Sequence, residues 1–131
     1  MRKLILAVIC SLALAGCSVQ GALDTVKTAV TGIENPVSKS DLYNFENGMI
    51  IAFAGLNAYR QACELGSVGA SCKDVIRQMQ VYTKRIPAVL RTARVFVKQN
   101  DQVNAKVAFA TLRQLMADFK AIASANNVKV Q

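Results

Sequence analysis

The sequence predicts an all-α fold, a small antiparallel three-helix bundle with the N-terminal segment as a candidate fourth helix. Three observations lead there. The chain has 131 residues, enough for one domain with a modest core. It is 53% apolar and only 18% charged, which argues against disorder of the whole chain. From Asp41 onward, apolar residues step by three and four along three long stretches, broken only near residues 65–71 and 100–101. No internal repeat or low-complexity tract interrupts the pattern.

Residues 1–17 read MRKLILAVICSLALAGC. Arg2 and Lys3 form a positive stretch ahead of an apolar run from Leu4 to Leu14. As a helix that run would be about 16 Å long, roughly half the hydrocarbon core of a bilayer. It is therefore read as the apolar region of a signal peptide and not as a permanent span. The run ends in Leu14-Ala15-Gly16-Cys17, which resembles the lipobox of bacterial lipoproteins. That resemblance implies a diacylglyceryl group on the Cys17 thiol, cleavage between Gly16 and Cys17, and a fatty acyl group such as palmitate on the new amino terminus. It rests on residues 1–17 alone. Ser18 follows the cysteine where an Asp would resemble an inner-membrane retention signal, so the resemblance favours the outer membrane, facing the periplasm. Two or more acyl chains hold a protein stably on a membrane, whereas one binds reversibly.

The expected organisation is a signal peptide over 1–16, a lipidated N-terminus and tether over 17–40, a helical bundle over 41–125, and a frayed tail over 126–131. Removing residues 1–16 takes away Arg2, Lys3 and no acid, so the charge falls from +8 to +6. Cys10 leaves as well, and Cys17, Cys63 and Cys72 remain. In an oxidising compartment a Cys63–Cys72 disulfide is the default expectation. The alternatives are a metal pair or a redox-active dithiol, but the spacing does not match C-x-x-C and two lone thiols make a poor zinc site.

Along the tether, Val19, Leu23, Val26, Val30 and Ile33 form one helical apolar stripe, weakened by Gly21, Gly32 and three threonines. Asn35-Pro36 breaks it, and Ser38-Lys39-Ser40 reads as a linker and helix start. From Asp41, the positions Leu42, Phe45, Met49, Ala52, Leu56, Tyr59 and Cys63 form a heptad-type seam on a helix of roughly 24 residues. Ile50, Ile51 and Phe53 broaden that seam, so the helix is expected to touch neighbours on more than one side. Leu65-Gly66 supplies a C-terminal stop, and Ser71-Cys72-Lys73-Asp74 has the spacing of a capping box.

The next helix is expected over about 72–99, its core face running from Val75, Ile76, Met79 and Tyr82 through Ile86, Val89, Leu90 and Ala93 to Phe96 and Val97. The stripe keeps its phase across Pro87, so a kink is expected there and not a break. Asn100-Asp101 provides a stop and a new cap. The last helix, about 101–125, is expected to bury Val103, Val107, Leu112, Leu115, Met116, Phe119 and Ile122.

Function is sought on the middle helix. Residues 73–98 carry Lys73, Arg77, Lys84, Arg85, Arg91, Arg94 and Lys98 against a single acid, Asp74. At 100° per residue, Lys73, Arg77, Lys84, Arg91 and Lys98 fall within about 60° of one another, nearly opposite the apolar stripe. They make a basic ridge about 38 Å long. Solvated faces usually mix signs, so the ridge points to an anionic partner in the envelope: lipid headgroups, peptidoglycan carboxylates or an acidic protein. A membrane contact through the Cys17 lipid is expected, and nucleic acid is not, because the signal peptide leads away from it and no binding motif is present.

An enzyme is not expected either. The chain has no His, which removes the commonest general base and the commonest metal ligand. The acids Asp24, Glu34, Asp41, Glu46, Glu64, Asp74, Asp101 and Asp118 are scattered, and no glycine-rich phosphate loop occurs. No cofactor or metal is expected, since a heme or quinone pocket would lack obvious ligands. The helical body, the Cys63–Cys72 spacing and the stretch Lys84-Arg85-Ile86-Pro87-Ala88-Val89-Leu90-Arg91 resemble small phage and prophage lipoproteins. That resemblance implies, as an alternative, an accessory role in lysis or infection exclusion.

Overall fold

A computed structural model describes residue 33 and residues 35–130. The expected signal peptide, the cysteine expected to carry lipid (Cys17) and nearly all of the stripe expected over 18–35 lie outside these residues. Among the described residues there are three helices, α1 (Lys39–Glu64), α2 (Cys72–Lys98) and α3 (Gln102–Ala125), and no strand. The predicted all-α class and the three predicted bundle helices are observed, and the candidate fourth helix lies outside the described residues.

α1 starts where a side chain can satisfy its orphan N–H groups. The Ser38 hydroxyl accepts from the Asp41 backbone N–H at 3.1 Å, while the Asp41 carboxylate accepts from the Ser38 backbone N–H at 2.7 Å and from the hydroxyl at 2.6 Å. At its far end Gly66 takes φ +68°, a conformation glycine adopts without steric cost, and the Gly66 and Ser67 N–H groups bond back to Cys63 and Ala62. The capping box expected at Ser71 does not form. Ser71 is in helical conformation (φ −77°, ψ −1°) and makes no side-chain cap, because a capping residue needs extended backbone and the turn here already bonds Cys72 N–H to the Gly69 carbonyl. Asn100 (φ 58°) and Asp101 separate α2 from α3 as expected, Asp101 accepting from the Asn104 N–H at 3.2 Å.

Burial follows the 3-4 periodicity. Leu42, Met49, Ala52 and Leu56 of α1 are buried, as are Val75, Met79, Ile86, Leu90 and Ala93 of α2. α2 runs unbroken through Pro87 with its buried face in phase on both sides. On α3 Leu112, Leu115 and Phe119 are buried as expected, Val107, Met116 and Ile122 are half-buried, and Val103 is 76% exposed. The buried row is Ala105, Ala108, Leu112, Leu115, Phe119 and Ala123, and Val103 lies off it. Small residues fill the positions where helices approach most closely, which an apolarity count weighted toward large side chains misses.

Packing is most extensive between α2 and α3, less between α1 and α2, and least between α1 and α3. α1 is therefore held by specific ties along its length. At its start the Gln102 side-chain amide brackets Val37, accepting from its N–H at 2.9 Å and donating to its carbonyl at 3.3 Å. Further along, Glu46 pairs with Arg94 of α2. Edge-to-face ring pairs Phe45–Phe109 and Phe53–Phe119 reach across to α3, with centroids 6.2 and 5.4 Å apart. At its end, Cys63 is bonded to Cys72 with a Cα separation of 5.8 Å. The expected disulfide thus joins the end of α1 to the start of α2.

Residues 126–130 also hold α1 and are not the frayed end that the sequence suggests. Asn127 turns the chain with φ 55°, the Val128 N–H bonds to the Ala123 carbonyl at 2.8 Å, and the Val128 side chain is buried. The chain then crosses α1 at Gly55, where a Cβ would overlap the Lys129 carbonyl oxygen. An apolar Val at the third position after α3, met by a glycine on α1, docks a segment that composition alone assigns to solvent.

Candidate functional site

The basic ridge sits on the outer face of α2, opposite the buried row of Val75, Met79, Ile86, Leu90 and Ala93. Because one face of a helix enters the core, the residues about half a turn away must face water. Lys73, Arg77, Lys84, Arg91 and Lys98 are all exposed, and helical phase aligns them along one side. The one carboxylate on this helix, Asp74, lies 3.5 Å from Arg77, with both side chains at least 70% exposed. Among the described residues no carboxylate pairs with Lys73, Lys84, Arg91 or Lys98. Arg94, a base of the same helix beside the ridge, turns its guanidinium to Glu46 of α1 and ties the two helices together.

Two features of this face are not in the expectation. First, Val81 and Val95 are 51% and 50% exposed, and with the exposed Ala88 they form a row repeating every seven residues. That row runs within about 60° of Arg77, Lys84, Arg91 and Lys98, themselves spaced by seven. The spacing was readable in the sequence, but valines on a helix read as core until burial is known.

Second, shallow grooves border the ridge. One of about 450 Å³ lies between the start of α1 and the end of α2, lined by Lys39, Leu42, Tyr43, Arg94, Val97 and Lys98. A second, about 360 Å³, is formed by Arg77, Gln80, Val81, Lys84 and Arg85 in the middle of α2. A third, about 250 Å³, lies beside the disulfide and includes Arg60, Glu64, Lys73 and Ile76. The Arg60 Nε beside it is buried without a hydrogen-bond partner. Each groove combines an apolar wall with at least two cations.

Titration is perturbed at two helix caps. Hydrogen bonds from the Ser38 side chain and then its backbone N–H hold the Asp41 carboxyl below its usual range. The Asn104 side chain and backbone N–H do the same for Asp101. Both carboxylates are structural.

Among the described residues no three His, Cys, Asp or Glu side chains gather where they could hold a metal. No described helix is long and apolar enough to cross a membrane. Compared with protein-family models, curated proteins and solved structures, the chain matches none.

Proposed function

We propose that this protein is a lipid-anchored envelope lipoprotein, held through Cys17 at the periplasmic face of the outer membrane. In this role the outer face of α2 engages an anionic surface, and anionic phospholipid headgroups fit it best. One observation carries the choice: exposed bases and exposed valines alternate along the same side of one helix. Guanidinium and ammonium groups meet phosphates, while Val81, Ala88 and Val95 enter the apolar boundary beneath them. Peptidoglycan carboxylates would use the bases and leave the valines in water. The protein acts here as a structural or interaction module and carries out no catalysis.

The energetics are favourable. Each Lys or Arg near an anionic bilayer contributes about 1 kcal/mol, falling off within a Debye length of about 8–10 Å. A flat helix keeps all five bases within that distance at once, so the face contributes on the order of 5 kcal/mol at low salt.

The test compares partition of the full chain into vesicles of phosphatidylcholine with and without phosphatidylglycerol. The N-terminal segment, with Arg2 and Lys3, is the same in the unaltered and charge-reversed chains, so the change in ratio between them isolates the face. The expected ratio strongly favours the anionic vesicles and falls about 100-fold when Arg77, Lys84 and Arg91 are changed to Glu. An equal partition of the unaltered chain into both vesicles would refute the proposal.

A further inference from the structure

The charge of the bundle is unevenly shared among its helices. α2 carries the ridge, and α3 carries a second row at seven-residue spacing, Lys106, Arg113 and Lys120. α1 is nearly balanced, with Lys39 and Arg60 against Asp41, Glu46 and Glu64. Its outer side holds no charge at all between Tyr43 and Gln61. Tyr43, Ile50 and Ile51 are 62%, 58% and 52% exposed there, together with exposed Ala54 and Ala58. At 100° per residue these five positions fall within about 100°, and Asn47 and Gln61 fill the same arc without adding charge. Among the described residues nothing covers this face, and single exposed apolar side chains are ordinary whereas several large ones on one uncharged helix side are not.

We propose that this face binds a second copy of the same chain, α1 packing antiparallel on α1 about a two-fold axis near residue 52. Three features select that occupant. The large side chains, Tyr43, Ile50 and Ile51, lie in the first half of the strip and the small ones, Ala54 and Ala58, in the second. An antiparallel two-fold sets Ile50 opposite the partner's Ala54, Tyr43 beside its Ala58 and Gln61, and Ile51 against its counterpart at the axis. A two-fold interface must be self-complementary in this way, residue i meeting j while j meets i.

Charge gives the second feature. Lys39 and Glu64 stand equally far from the midpoint, at opposite ends of α1, and lie within about 20° of each other around the helix. The same axis brings each Lys39 beside the partner's Glu64, closing the interface with an ion pair at both ends. The third feature is repulsion elsewhere: two copies meeting through α2 or α3 would set cationic rows against one another, whereas pairing through α1 leaves both ridges outward.

The test is sedimentation equilibrium of the full chain in density-matched detergent, across a range of protein concentrations. A reversible dimer is expected. Ile50→Asp raises its dissociation constant by more than about 100-fold, because the aspartate would be buried against the partner's alanine. Ile50 is exposed in the monomer, so an unchanged circular-dichroism spectrum is the folding control. Lys39→Glu and Glu64→Lys each weaken the dimer about tenfold, and the double swap restores it. Within one chain residues 39 and 64 are about 37 Å apart along the helix, so rescue reports pairing between chains. A monomer at every concentration overturns the proposal, whatever else covers Ile50. So does a dimer indifferent to Ile50→Asp, or one that the charge swap fails to restore. None of these outcomes bears on vesicle binding through α2.

Discussion

Alanine at Gly48 and alanine at Gly55 add the same methyl group to the same helix, and the structure predicts opposite signs. In a helix interior Gly→Ala gains about 0.8–1.0 kcal/mol from backbone entropy. At Gly48 nothing lies within 4 Å of the new Cβ, so the whole gain is expected. At Gly55 the Cβ would overlap the Lys129 carbonyl oxygen and press against Val130 Cγ1 at 3.1 Å. The overlapped atom belongs to the backbone, so residues 128–130 must move as a unit and withdraw Val128 from the core. Overpacking of this kind costs about 1–3 kcal/mol, and re-exposing a buried valine about 1.5 kcal/mol or more. After subtracting the helix gain, Gly55→Ala should lower stability by about 2 kcal/mol or more, roughly 8 °C or more in melting temperature. Deleting residues 127–131 removes the obstacle, and in that background Gly55→Ala should stabilise by about 1 kcal/mol, as Gly48→Ala does. Urea unfolding of the four variants reads both signs. If Gly55→Ala stabilises the intact chain as much as Gly48→Ala, the tail does not pack on α1.

Other expectations concern the ties at the ends of the helices. Asp41 has a folded-state pKa below its unfolded value of about 3.9, so its contribution is complete above that pH and is lost as pH falls through the folded pKa. Asp41→Asn should therefore lower the melting temperature at neutral pH and flatten its decline between about pH 5 and 2, as followed by circular dichroism. Reducing the Cys63–Cys72 bond, or replacing both cysteines by alanine, should cost about 2.7 kcal/mol by loop-closure entropy, measured by urea unfolding with and without reductant. With the α2 face screened by high salt, the unaltered protein should stay in the membrane fraction of an envelope preparation and Cys17→Ser should leave it. Equal release of both by high salt would contradict lipid attachment at Cys17.

The architecture was legible because long amphipathic periodicity survives in the sequence: Leu42, Met49 and Leu56 announce the seam of α1, and Ile86, Leu90 and Ala93 carry that of α2 across Pro87. The stops at Gly66 and Asn100 were legible for the same local reason, since both adopt positive φ, which glycine and asparagine tolerate best. What failed was decided by surroundings that the motif or periodicity does not contain. Ser71 has the right spacing for a cap, but the turn leading out of Gly69 sets its backbone in a helical conformation where the hydroxyl cannot reach back. Val103 reads as core by apolarity and lies outside because alanines occupy the contact row. Val128 reads as tail and is buried because Gly55 opens a path across α1. The neighbours anticipated for Ile50 and Ile51 are missing among the described residues, and that gap carries the proposal for α1. On the ridge, the five bases stand exposed along one side of α2, while the valines beside them became visible only through their exposure.

The most direct measurement replaces exposed Ala88, between Lys84 and Arg91, with a photoreactive amino acid and irradiates the protein in native envelopes. Mass spectrometry of the recovered chain should then find adducts with the mass of anionic phospholipids, lost when Arg77, Lys84 and Arg91 are changed to Glu. Adducts confined to peptidoglycan fragments or to another protein, or adducts that survive the charge reversal, would contradict a membrane-facing role for α2.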